Sequence, residues 1–138
     1  MPYAFRIDPA LGLIVARFEG DVDAAQLDRI RGEIEAHPDF RPGLDRIWDE
    51  REAALQVSGE ELRALAERWN RSSVDHGERR LAYLVSEGLP WGLNRQFEAQ
   101  RSAADVTFEI FTDWQALKAW LELPAELPDP AQLTRRSA

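Results

Sequence analysis

The chain predicts an α/β domain: a two-layer, mixed five-stranded sheet with helices mainly on one face, in the order β-β-α-β-α-β-α-β-α. Three observations carry that prediction. Leu81 to Val85 is a short, almost uninterrupted apolar run that meets Ser86, Glu87 and Gly88, after which the apolar spacing changes from strand-like to helix-like. A strand of that kind has neighbours on both sides and feeds a helix, as in a partly parallel sheet. The same alternation of periods recurs after an opening hairpin, which makes the first strand an antiparallel edge and the others largely parallel. Lastly, Arg6, Arg17, Glu19, Thr107 and Glu109 fall at strand positions and leave one sheet face partly wet, while right-handed crossovers put most helices on the other. A doubly wound, three-layer sheet is the alternative architecture.

Tyr3 to Asp8 reads as the first strand, and Pro9 with Gly12 turns it into a second strand at about Leu13 to Glu19. Gly20 ends that strand. Asp21 or Asp23 then caps a helix reaching about His37, with Ala24, Leu27, Ile30 and Ile34 as its apolar stripe and Asp28, Arg31 and Glu35 toward water. Pro38 closes the helix, and Phe40 plugs the end of the core. Leu44 to Asp49 is a short strand whose phase stays open between Leu44-Arg46-Trp48 and Asp45-Ile47-Asp49.

Ser58 followed by Glu61 is a capping box for a helix from about Gly59 to Asn70, which buries Leu62, Leu65, Ala66 and Trp69. After the Leu81–Val85 strand come a helix from about Pro90 to Ala103, a strand from Val106 to Phe111 and a last helix, Trp114 to Leu121, behind Asp113. From Leu123 onward Pro124, Pro128 and Pro130 interrupt the pattern, so residues 1–122 read as the domain and 123–138 as a flexible C-terminal tail.

A length of 138 residues fits one domain. The formal charge of −8 argues against a nucleic-acid backbone as partner, because no broad basic field is available to displace counterions. A local anion site around Arg79, Arg80, Arg95 and Arg101 would be the exception. The sequence has no cysteine, which excludes thiolate metal sites and cysteine nucleophiles and fits a reducing compartment. With no apolar run near ~20 residues and no export-signal pattern, a cytoplasmic protein without membrane insertion is expected.

Open α/β sheets bind ligands beyond the carboxyl ends of their strands. Candidate partner or ligand residues on that rim are Asp49, Arg51, Ser58, Ser86, Trp91 and Arg95. Asp49, Glu50 and Glu52 could supply carboxylates to a divalent cation, but solvated or arginine-paired roles are favoured. His76 beside Asp75 invites an acid-base reading that adjacency alone does not establish, and His37 reads as a helix-end residue. The chain carries none of the phosphate-loop, dinucleotide, zinc-protease or hydrolase-elbow motifs, so no catalytic residue, metal or cofactor is expected. Ser58 is a possible phosphorylation site, with plain capping favoured.

Four stretches, LIVARFEGDV, AHPDFRPGLDRIWDER, LAYLVSEGLPWGLNRQFEA and VTFEIFTDWQALKAWL, resemble the SpoIIAA-like family of small bacterial proteins, related in fold to STAS domains. The resemblance spans most of Tyr3 to Leu121. It implies a small mixed sheet covered by helices and no assigned enzymatic activity. STAS domains act as anti-sigma factor antagonists or signalling modules, and a serine after the third strand can be phosphorylated in them; Ser58 is the nearest match, although VSGEEL lacks their Asp-Ser pair. A non-enzymatic regulatory or protein-partner-binding domain is therefore expected. A carrier or sensor of a small apolar or anionic ligand is the alternative, and an enzyme comes third. A homodimer is expected from apolar residues left over on a small domain.

Overall fold

The structure is a computed structural model that describes residues 3–87 and 106–135. Its strands are β1 (Tyr3–Asp8), β2 (Leu13–Asp23), β3 (Asp45–Gln56), β4 (Arg79–Leu84) and β5 (Val106–Phe111), and they form one five-stranded sheet in chain order. β1 pairs antiparallel with β2, and every later pairing is parallel. The Leu81–Val85 run is interior, with β4 flanked by β3 and β5 and the Val85 N–H donating to the Phe111 carbonyl at 2.8 Å. The helix expected over Pro90 to Ala103 lies outside the described residues.

Helices α1 (Ala24–Glu35) and α2 (Gly59–Asn70), twelve residues each, form the second principal layer. Parallel strands joined in sequence order need right-handed crossovers, which carry both helices to the same side. α1 starts at Asp23, whose carboxylate accepts from the Gln26 N–H while the Gln26 side chain bonds back to the Asp23 N–H. α2 starts at Ser58 with the same reciprocal arrangement to Glu61. Ile30 and Ile34 of α1 pack with Ile14, Phe18, Trp48 and Leu81 of the sheet, and Leu62, Leu65 and Ala66 of α2 extend that core toward Leu27 and Trp69.

Both central strands outrun their expected length. β2 passes through Gly20, which takes a φ of 71°, and stays paired with β3 as far as Asp23 and Gln56. The register shifts between Arg17 and Glu19, which pair with Asp49 and Glu52, so β3 carries the extra residue of a bulge. Glycine weakens an isolated strand, but each of these two strands supplies the other's ladder. The pairing also resolves the phase of β3: Trp48 joins the core under α1, and Ile47 faces away from it.

The second face is not wet at its centre. Leu13, Val15, Ile47, Ala82 and Leu84 are covered by the short helix α3 (Trp114–Trp120), by Leu121, and by a final stretch containing α4 (Pro130–Leu133). Residues 123–135, read from sequence as part of a flexible tail, pack here through Leu123, Leu127 and Leu133. Pro124 and Pro128 lie outside helices and Pro130 opens α4, but the leucines among them still have apolar surface to bury. Lys118 of α3 holds the stretch by donating to the carbonyls of Ala125 and Leu127.

Candidate functional site

Alternation along β3 and β4 puts Arg46, Trp48 and Glu50 of one strand beside Arg79, Leu81 and Tyr83 of the other, on the face covered by α1 and α2. Between this face and the helices lies a cavity of about 50 Å³. Its apolar wall includes Trp48, Leu62, Leu65, Trp69, Leu81 and Tyr83, and its charged lining includes Arg31, Arg46, Glu50 and Arg79. All four charged residues are buried, the most exposed being Arg31 at 8 %. Burying a charge costs several kcal/mol unless it is paired and hydrogen-bonded, so these positions are held by specific contacts.

Those contacts run behind the cavity. Arg46 donates to Nδ1 of His76, and Nε2 of His76 lies 2.5 Å from a Glu35 carboxylate oxygen. Glu35 also pairs with Arg31 at 3.3 Å, and the Arg31 guanidinium stacks 4.5 Å above the Trp69 ring. The Trp69 indole N–H donates to Asp28 at 3.0 Å. Arg79 donates to the Gly77 carbonyl at 2.9 Å. The ring of Phe40 meets His76 edge-on at 5.1 Å. The stripe of Asp28, Arg31 and Glu35, expected to face water, is instead the seam between α1, α2 and the loop before β4.

The strand-end rim is built differently. Asp49, 1 % exposed, points to the second face and takes two bonds of 2.9 Å from the Arg51 guanidinium, which also reaches Asp129 at 2.8 Å. The bonds to Asp49, acting against desolvation and aided by Asp129, raise the Arg51 pKa above its ordinary value. Burial disfavours the Asp129 charge, yet bonds from Arg51 and the Ala131 N–H, with the charges of Arg51 and Arg17, hold its carboxyl below the usual range. Ser58 is exposed and caps α2, and Ser86 is exposed just beyond β4. Trp91 and Arg95 lie outside the described residues.

Other sequence expectations separate in space. Arg79 faces the cavity, whereas Arg80 bonds Asp45 at 2.7 Å on the opposite face, so these two do not share an anion patch; Arg95 and Arg101 lie outside the described residues. Asp49 and Glu50 likewise point to opposite faces, and among the described residues no group of three His, Cys, Asp or Glu side chains could hold a metal. Asp75 accepts from the Gly77 N–H at 2.9 Å, so its bond goes to the loop backbone. No described helix is long and apolar enough to cross a membrane.

Sequence reasoning grouped Arg79 with Arg80 and turned Arg31 toward water, and it did not single out Arg46 as a site residue. A signal existed for Arg46, which sits among Leu44, Ile47 and Trp48, where a charge must be buried and matched. No protein-family model, curated protein or solved structure matches the chain. The fold is nevertheless compatible with a general STAS-like architecture, a mixed five-stranded sheet with flanking helices.

Proposed function

We propose that this chain is a non-enzymatic regulatory domain that holds a small ligand in the cavity between the sheet and helices α1 and α2. The observation that carries the reading is the convergence of three buried guanidinium groups and an aromatic and aliphatic wall on one space. A site of that composition orients a bound molecule: the wall takes its apolar part and the cations its polar part. The rim supports a binding role over a catalytic one, since Asp49 is engaged by Arg51 and the Ser58 hydroxyl by the Glu61 N–H. Native mass spectrometry of gently purified protein, with a thermal-shift screen of small acids, amides and alcohols, tests the reading. A bound mass or a ligand-dependent rise in Tm is expected; apo mass only, with no shift from any class, overturns it.

A second reading, a STAS-like module that binds a protein partner, is favoured by the place of Ser58. It lies exposed at the start of α2, directly after β3, where the resemblance puts a phosphorylated serine. A phosphate there would meet helix N–H groups but also Glu60 and Glu61. Phosphopeptide mapping of the protein from its native cells decides it: a phosphate on Ser58 supports this reading, and a uniformly unmodified Ser58 argues against it. Homodimerisation draws, among the described residues, on Val74 as the one large apolar side chain left exposed. Sedimentation at high micromolar concentration tests it, and a monomer there rejects it.

A further inference from the structure

We propose that the ligand of this cavity is a short-chain monocarboxylate, bound with its carboxylate toward Arg46 and Arg79 and its hydrocarbon tail on Trp48 and Leu81. The proposal rests on the ligand-holding reading above and adds the chemical class. Register supplies the first part of the argument. Arg46 lies opposite Leu81, and Trp48 opposite Tyr83. Arg79 is therefore diagonal to Arg46, with the two Cα atoms about 8 Å apart by strand spacing and rise. Glu50 lies four residues further along β3, about 13 Å from Arg46 on the same measure. Along this strand pair the two arginines therefore come first, Trp48 and Tyr83 next and Glu50 last, with Arg31 of α1 also lining the cavity.

Bonding capacity supplies the second part. Arg46 is anchored through an imidazole nitrogen of His76 and Arg79 through the Gly77 carbonyl, each contact fixing the direction of a planar fork. A guanidinium has five N–H donors, so it can keep its anchors and still present a donor to a carboxylate. Bonds of that kind, charged at both ends, are roughly twice as strong as neutral ones.

Size supplies the third. A water needs about 10–15 Å³ of cavity measured this way, so the space takes roughly four or five heavy atoms. A carboxylate uses three of them, which leaves a tail of one or two carbons. Inorganic phosphate is of similar size but has nothing to place against Trp48, Leu62, Leu65 or Leu81.

The test is a titration of the full chain with sodium propionate, propionamide and inorganic phosphate, followed by tryptophan fluorescence and by the indole N–H signals in NMR. Saturable binding of propionate, about tenfold or more tighter than propionamide and phosphate, is expected, because the amide forfeits the attraction between opposite charges and phosphate forfeits the apolar contact. Arg79→Gln should lower propionate affinity about tenfold and lower that of propionamide by less, since the amide loses a hydrogen bond but no charge–charge attraction. Propionamide binding as well as propionate would overturn the inference and leave the cavity reading standing. Phosphate binding as tightly as propionate would also overturn it, by making the site a plain anion site. If none of the three binds and the screen of acids, amides and alcohols is blank, the inference and the reading fail together. The ligand comparison needs only the unaltered protein, so it decides even if the variant does not fold.

Discussion

Glu35 and His76 meet at 2.5 Å, joining the last turn of α1 to the loop that precedes β4. The other ring nitrogen of His76 faces Arg46. A guanidinium only donates, so Nδ1 is the acceptor and the ring proton sits on Nε2, where it is donated to Glu35. One neutral imidazole therefore ties a helix, a strand and a loop, and its own backbone carbonyl accepts from the Gly43 N–H at 2.8 Å.

Replacing that ring removes an acceptor and a donor from two charged partners. His76→Phe should cost about 2–4 kcal/mol, since hydrogen bonds to charged groups are worth more than neutral ones and both partners stay behind. His76→Gln, which keeps one donor and one acceptor, should cost less. Urea unfolding of the two variants checks the order; equal losses would mean that ring packing, and not the polar relay, is what the site needs.

The same loop depends on a glycine. Gly77 has a φ of 70°, and a Cβ there would stand 2.7 Å from the Gly43 nitrogen and 3.0 Å from the Pro42 Cβ. Gly20 has nearly the same φ, 71°, but a Cβ at that position would meet nothing within 4 Å. Gly20→Ala should cost about 1 kcal/mol from left-handed strain alone. Gly77→Ala should cost about 2 kcal/mol more, because backbone has to move. Chemical denaturation of both variants measures the difference.

Ser58 closes the α2 capping box. Ser58→Ala should destabilise by about 1 kcal/mol, whereas Ser58→Asp keeps an acceptor for the Glu61 N–H and should stay near the parent. Thermal melts at neutral pH give the comparison.

Asp129 makes the final stretch acid-sensitive. Its folded pKa is depressed, so its pairing stabilises fully above the unfolded value and is lost as pH falls through the folded one. Hydrogen exchange in residues 122–135 should therefore quicken below about pH 4 while the sheet stays protected. Asp129→Asn should show the faster exchange already at neutral pH. Its cost should be about 0.5–1 kcal/mol, because both side chains are partly solvated.

Tyr3 gives a signal at the other end of the scale. Burial, reinforced by its bond of 2.7 Å to Glu33 and the charge of that carboxylate, pushes its phenol up to about 12. The folded state thus holds the proton longer than the unfolded chain, so this contribution is intact below about pH 10 and fades as pH rises toward 12. Ultraviolet titration should show a late-ionising phenol that is absent in Tyr3→Phe, a variant about 1 kcal/mol less stable.

Local chemistry was readable in advance. The spacing of Ile30 and Ile34, the Ser58–Glu61 box, the Asp113 cap and the extents of β1 and β5 all follow from neighbours a few residues apart, and the sequence by itself determined them. Tertiary structure alone decided how far β2 and β3 run, because the ladder past Gly20 exists only once the two strands lie side by side. It also decided that Arg31 is buried and Glu35 half-buried, since a helix stripe is wet or dry according to what lands on it, here Trp69 and His76 from elsewhere in the chain. The cavity belongs to that second kind of knowledge: Arg46 and Arg79 stand 33 positions apart in the sequence, and only the parallel pairing of β3 with β4 brings their charges to one place.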